Sequence, residues 1–202
     1  MASAFCSERL IYRAPEDTPQ DKAFILALQS DRNSAENATR YLAKPMSPAD
    51  VAMFLRQLQD SFLGVLVCLP EPSAPLTTKP IGFVNLKGAS QPHRNAAMSV
   101  QICREEQGKG YGTEAIKWAL EWGFLVGGLH KVNIGCFSFN KGASRLYERL
   151  GFVAEGRARE VVWKNGGWHD SIEMGMLEGE WREKYLIDGR GAFTFIGGGT
   201  KE

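Results

Sequence analysis

Long apolar runs are missing from this chain, and none approaches the roughly 20 residues that a membrane-spanning helix needs. The first nine residues lack the charged and apolar regions of a secretory signal. Cysteine is scarce: Cys6, Cys68, Cys103 and Cys136 lie far apart and form no CxxC pair, which argues against a disulfide scaffold or a zinc site. The three histidines, His93, His130 and His169, are equally scattered. Charge of one sign is missing too. With 24 basic and 23 acidic residues the net charge is +1, so bulk charge suggests neither nucleic acid nor a polybasic membrane anchor. No internal repeat is visible. Together these absences predict a reduced, cytoplasmic, metal-free protein with no nucleic-acid or membrane partner.

The composition that remains is ordinary for a globular chain, with 44% hydrophobic residues to form a core. A length of 202 residues suits one domain, since a domain takes roughly 100–200 residues. That domain is expected to cover residues 1–185. Periodicity is lost after Trp181, and residues 186–202 read as a mobile C-terminal tail, although residues 193–196 could add an edge strand.

The spacing predicts a strand over residues 8–14 and a helix over 19–29, with Phe24, Ile25 and Leu28 on one face. Residues 30–46 are polar and read as irregular. A second helix opens on Ser47 as N-cap, with Pro48 at its first position and Asp50 in its first turn. Its apolar stripe is Val51, Phe54, Leu55, Leu58 and Phe62. Residues 64–69 and 80–86 form a hairpin with a proline-rich connection, and residues 97–103 a further strand. From Thr113 the period turns helical, placing Ala115, Ile116, Ala119, Leu120 and Gly123 together. A strand over 131–139 follows, then a short helix through Ala143, Leu146, Tyr147 and Leu150, stopped by Gly151 as a left-handed cap. Residues 152–163 and 168–177 are strands around the hairpin turn Asn165-Gly166-Gly167. The order β-α-α-β-β-β-α-β-α-β-β excludes a repeating βα barrel. It predicts an α/β (α+β) fold, a mixed and mainly antiparallel central sheet of about seven strands flanked by helices.

Between the strand ending near Cys103 and the helix from Thr113 lies Gln107-Gly108-Lys109-Gly110-Tyr111-Gly112-Thr113. Three glycines in five residues let the backbone approach a ligand and adopt positive φ. The free N–H groups and dipole of the helix that follows favour an anion, above all phosphate; the alternative is a flexible glycine turn. A Walker loop needs Ser or Thr after Gly-Lys, whereas Gly110 follows Lys109. Residues 110–115 also fit the G-x-G-x-x-A form of a dinucleotide fingerprint. That motif wants an acid about 20 residues further on, and residues 131–139 contain none. A nicotinamide-binding oxidoreductase is therefore a weak rival.

Gln107-x-x-Gly110-x-Gly112 resembles the Q/R-x-x-G-x-G/A pyrophosphate loop of GNAT acetyltransferases. Asn140-Lys-Gly-Ala143-Ser-Arg-Leu-Tyr147-Glu-Arg-Leu-Gly151-Phe152 resembles that family's N-x-x-A-x-x-x-Y…G-F block, in the family's order and at its usual separation. Arg9-Leu-Ile-Tyr-Arg13 and Asp170-Ser-Ile-Glu-Met174 are similar to the branch that includes ribosomal-protein N-terminal (alanine/serine) acetyltransferases. The likeness covers residues 8–182 and is densest over 97–178.

The resemblance implies acetyl-CoA as co-substrate, no metal, and central strands that splay apart at their ends to take the coenzyme. Its pantetheine would hydrogen-bond like an added strand to backbone at Ile102, Cys103 and Arg104. The pyrophosphate would lie against Gln107, Gly108, Lys109, Gly110, Tyr111, Gly112 and Thr113. Asn140 would touch the coenzyme arm, cap the following helix, or do both. Tyr147 would be the acid that protonates the leaving thiolate; its alternative is a core tyrosine on an apolar stripe. The acceptor would be a primary amine, on a peptide N-terminus, a polyamine or another small molecule. A homodimer is the family expectation. One feature departs from the pattern: residues 96–101 hold no carboxylate where many family members carry a glutamate base. Glu173 and His169 stay open as substitutes, and Asp31 and Glu36 as attractors of a cationic amine. That gap leaves a second reading, a non-catalytic sensor of acetyl-CoA on the same fold.

Overall fold

The computed structural model describes residues 5–39, 44–71, 78–90 and 92–187. Its strands are β1 (Ile11–Arg13), β2 (Leu63–Pro70), β3 (Thr78–Ser90), β4 (Asn95–Ile102), β5 (Lys131–Phe137), β6 (Val153–Lys164) and β7 (Gly167–Leu177). They form one sheet in the order β1-β2-β3-β4-β5-β7-β6. Every pairing is antiparallel except β4 with β5. The mixed, mainly antiparallel sheet of seven strands among the described residues is the one the element order predicts.

Each face of the sheet has its own core. Helices α1 (Pro19–Ser30) and α3 (Pro48–Gln59) bury Ile25, Leu28, Val51, Leu55 and Leu58 against Leu66, Cys68 and Phe83. On the opposite face α4 (Tyr111–Glu121) and α5 (Lys141–Leu150) cover the larger core, in which Ile116, Trp118 and Leu120 meet Val84, Leu86, Met98, Val132 and Ile134. The start of α3 follows its sequence signals: Ser47 Oγ accepts from Asp50 N at 3.2 Å, while Asp50 accepts from Ser47 N at 2.9 Å. The β6–β7 turn has Asn165 at φ 50° and Gly166 at φ 79°, the two left-handed residues of a tight hairpin.

Three expectations change. Residues expected to be irregular contain α2 (Arg32–Ala38), a seven-residue helix whose polar sequence offers no apolar stripe. Phe62 is 43% exposed instead of closing the stripe of α3, and it meets the Trp122 ring at 5.4 Å. The chain after β7 is helical, with α6 (Glu178–Arg182) and a wider helical turn over Glu183–Ile187. Two large side chains explain this: Trp181 and Tyr185 enter the main core, and Tyr185 Oη donates to Leu150 O at 2.9 Å. The edge strand considered over 193–196 lies outside the described residues.

The geometry that matters most is where β4 and β5 part. They pair only at Asn95–Ala97 with Lys131–Asn133. Beyond that point β4 stays on β3 to Ile102, and β5 stays on β7 to Phe137. The splay implied by the resemblance is present. Among the described residues no helix is long and apolar enough to cross a membrane, no group of His, Cys, Asp and Glu could hold a metal ion, and the cysteines are free thiols.

Candidate active site

The glycine loop lies at the mouth of that gap. After β4 the chain makes a short 3₁₀ turn at Arg104–Glu106, then enters α4, which begins two residues earlier than its apolar period suggests. Gly110 is its N-cap at φ 85°, and Gly108 stands at φ 75°. A side chain is strained at both. No N–H group from Gly108 to Thr113 donates to a described residue, and the first to find a partner is Glu114 N, on Gly110 O at 3.1 Å. Six N–H groups at the positive end of α4 are thus without a partner among the described residues, with no Cβ over Gly108 or Gly110.

Neighbouring side chains hold the loop in shape. Arg9 donates from Nη1 to Lys109 O at 3.0 Å and from Nε to Glu114 Oε2 at 2.8 Å, and its guanidinium lies 4.8 Å from the Tyr111 ring centroid. Ser7 Oγ and Arg9 N both donate to Glu114 Oε1 at 2.7 Å. Arg9 opens a block that resembles relatives, but nothing in its spacing tells that it braces a loop 100 residues away. Lys109 pairs with Glu106 at 2.7 Å, and that hydrogen bond holds the Glu106 carboxyl below its ordinary range.

Two expected contributors act differently. Gln107 gives its N–H to Arg104 O at 3.3 Å, so it does not join the six N–H groups. Its side chain braces the loop instead, donating to Ile102 O at 2.8 Å and to Ser34 Oγ at 3.3 Å. Cys103 has both backbone groups engaged, donating to Ile81 O at 2.8 Å and accepting from Glu106 N at 3.0 Å. In an antiparallel ladder successive residues point their polar groups to opposite sides. Since Cys103 points to β3, Val100 and Ile102 turn theirs toward the gap. The edge open to a strand-like ligand therefore lies at Val100 and at the N–H of Ile102, whose carbonyl already takes the Gln107 amide, one step earlier than expected. The Arg104 side chain is exposed beside it.

Tyr147 approaches the gap from the α4–α5 face. It is 7% exposed, packed against Phe152 with ring centroids 6.0 Å apart, and its hydroxyl donates to no described residue. Burial, helped by the nearby Cys136 thiol, pushes its pKa well above the ordinary tyrosine value, so the hydroxyl keeps its proton at neutral pH. Asn140 caps α5, its Oδ1 accepting from Ala143 N at 3.1 Å.

The other face of the sheet, over the gap, carries Ala97, Ser99 and Gln101 of β4, Asn133 and Gly135 of β5, and Ser171 and Glu173 of β7, by strand alternation. The anions considered for a cationic amine are already paired. Glu36 takes Arg32 at 2.6 Å and Lys164 at 3.4 Å, while Asp31 accepts from Ser34 Oγ at 2.5 Å. His169 stands edge-on to Phe139, with ring centroids 4.9 Å apart. Asp170 clamps the bulge of β6, accepting from Glu160 N at 2.9 Å and Arg157 Nε at 2.5 Å.

Comparison with known proteins agrees with this geometry. The family model of the acetyltransferase (GNAT) domain matches residues 9–153. Spermidine N(1)-acetyltransferase of Vibrio cholerae is 37% identical over 106 residues, 52% of this chain and 59% of that protein. A putative ribosomal N-acetyltransferase of Bacillus subtilis is 32% identical over 100 residues, 50% of this chain and 55% of that protein. The chain thus spans little more than half the length of these relatives. In three dimensions the spermidine N-acetyltransferase of Vibrio cholerae, solved with CoA and spermine, superposes with a TM-score of 0.73 at 27% identity, over 87% of this chain and 99% of that one. A Bacillus anthracis acetyltransferase shares the fold, with a TM-score of 0.71 at 19% identity over 87% of this chain and 98% of that one.

Proposed function

The chain belongs to the GNAT acetyltransferase family, and from that premise we propose that it moves the acetyl group of acetyl-CoA to a primary amine of a polyamine such as spermidine. The observation that carries this reading is the run of N–H groups from Gly108 to Thr113 that have no partner among the described residues, beside two strands that part where a thioester would have to enter. Those groups fit a pyrophosphate, because backbone donors at a helix N-terminus favour negative charge and the glycines leave room for it. Val100 and Ile102 hold the pantetheine as a strand would be held. Tyr147 stands ready to give its proton to the departing sulfur, and its hydroxyl, without a hydrogen bond to a described residue and holding its proton, favours turnover over mere sensing. Asn140 orients α5 through its cap and is tied to the end of β5, its N–H donating to Phe137 O at 2.8 Å, which is the place from which the family resemblance has it touch the coenzyme arm.

The polyamine class rests on what the Vibrio relatives are named for and on the open sheet face opposite Tyr147. The test is release of CoA thiol from acetyl-CoA with spermidine, spermine, and peptides beginning in alanine or serine. Thiol release with the polyamines is expected. Release with the peptides alone would move the acceptor to protein N-termini. Binding of acetyl-CoA without release for any amine would make the protein a sensor, and no binding at all would end the reading.

A further inference from the structure

We propose that Glu173 is the base that takes the proton of the acceptor amine. The inference rests on the acetyltransferase reading and adds the one group which that reading lacks. The strand before the loop cannot supply it. Its only buried polar side chain on the amine's face is Gln101, which accepts from Gln29 Nε2 at 2.8 Å and donates to Leu28 O at 3.2 Å. An amide so tied takes no proton near neutral pH.

Position argues for Glu173. On β7 it pairs with Gly135 of β5, two residues past the last parallel pair of β4 with β5. Its carboxylate folds over Gly135: a Cβ built there would lie 3.2 Å from Oε2 and 3.5 Å from Oε1. The missing side chain at Gly135 is what lets the carboxylate reach toward the gap. Ser171 Oγ donates to Glu173 Oε1 at 3.0 Å and fixes the rotamer, leaving Oε2 without a partner among the described residues. Tyr147 packs with Cys136 of β5, the next residue along, from the opposite face. Acid and base therefore flank one level of the gap from two sides. The coenzyme enters from the α4–α5 side, where the six N–H groups are, so the amine must come from the side of Glu173.

The other candidates on that face fail by distance or by pairing. His169 lies four residues away along β7, roughly 13 Å at the usual strand rise of about 3.3 Å. Lys131 and Glu155, toward the opposite end of the same face, pair with each other at 2.6 Å. Asn133, Ser99 and Ser171 do not titrate near neutral pH. Glu173 is exposed, so it exchanges protons with water between turnovers.

In the step assigned here, the amine nitrogen bonds to the thioester carbonyl carbon and the carbon–sulfur bond breaks. Glu173 takes the proton lost by nitrogen, and Tyr147 supplies the proton that makes the free thiol. Water returns Glu173 and Tyr147 to their starting states.

The test measures kcat/KM for spermidine with acetyl-CoA from pH 6 to pH 10 in the wild type, Glu173→Gln and Glu173→Asp. The glutamine variant is expected to lose about 10²-fold at pH 7, the lower end of general-base contributions. The deficit should shrink as pH approaches ~10, where a primary amine sheds its own proton. The aspartate variant should fall between the two, and the acetyl-CoA KM should not move. A glutamine variant as fast as wild type, or a deficit equal at every pH, overturns the assignment, as does an aspartate variant with the same flat profile should the glutamine one not fold. If the wild type itself releases no thiol with any amine, the acetyltransferase reading fails instead.

Discussion

At the scale of single residues, the structural place of Tyr147 and its proposed catalytic role can be separated by a substitution. Its ring fills a place in the main core between Leu146, Leu150 and Phe152, while its hydroxyl makes no hydrogen bond to a described residue. Tyr147→Phe keeps the ring and removes the hydroxyl. The expected outcome is a fall in kcat of about 10²-fold at saturating spermidine and acetyl-CoA, as for loss of a general acid. Thermal midpoint and acetyl-CoA affinity should be unchanged. Because burial holds the hydroxyl's pKa well above ordinary, wild-type kcat should show no loss from Tyr147 ionisation up to pH 9. Much of the proposed site is legible here: the glycines, Asn140 and Tyr147 can be named from the motifs that resemble the family's. The backbone edge at Val100 and the brace made by Gln107 cannot, because ladder parity and side-chain reach are not written in residue types. The same holds for Glu173 over Gly135, a pairing between strands 38 residues apart in the chain.

At the scale of elements, the proposed anion site lies at the N-terminus of α4, and Gly110 is its weak point. Gly110→Asp adds a carboxylate to a site proposed for phosphate and forces a side chain into φ 85°. The helix N-terminus favours a negative charge by up to ~2 kcal/mol; the new carboxylate takes that place itself and repels the phosphate, so acetyl-CoA affinity measured by titration calorimetry should fall about tenfold. A built Cβ there lies 3.3 Å from Arg9 Nη2, so the carboxylate also competes for the guanidinium that braces the loop. A second joint ties β1 to α1. Asp21 is 1% exposed and accepts from Arg13 Nη1 at 2.8 Å, Arg13 Nη2 at 2.6 Å and Glu16 N at 2.8 Å. Burial raises its pKa, but these hydrogen bonds outweigh it and hold the carboxyl below its ordinary value. The sign follows: this stabilisation is whole above about pH 4 and is lost as pH falls through the lowered folded value. Asp21→Asn should cost about 3 kcal/mol in urea unfolding at pH 7, the lower end for breaking a buried pair, and less in acid. Elements with caps and apolar stripes, such as α3 and α5, could be drawn from sequence. The polar α2 could not, since its seven residues show no stripe. The helical end over 178–187 was lost because its two anchors, Trp181 and Tyr185, are too few to set a period.

At the scale of the whole molecule, the sheet is two pieces held together at one short seam. β1 to β4 form one antiparallel run and β5 to β7 another, joined by three residue pairs of β4 with β5. A ligand lying in the gap would bridge them. Acetyl-CoA at about 100 times its dissociation constant contributes ~2.7 kcal/mol, which for a chain of this size should raise the thermal midpoint by roughly 5–10 °C. NAD at equal concentration should leave it unmoved. The most direct measurement is a crystal structure of the protein grown with CoA and spermidine. The expected result places the pyrophosphate on the N–H groups of Gly108 to Thr113 and the sulfur within hydrogen-bond reach of the Tyr147 hydroxyl, with an amine of spermidine beside Glu173 on the other face. CoA bound away from the gap, or its sulfur on the Glu173 side, would contradict it.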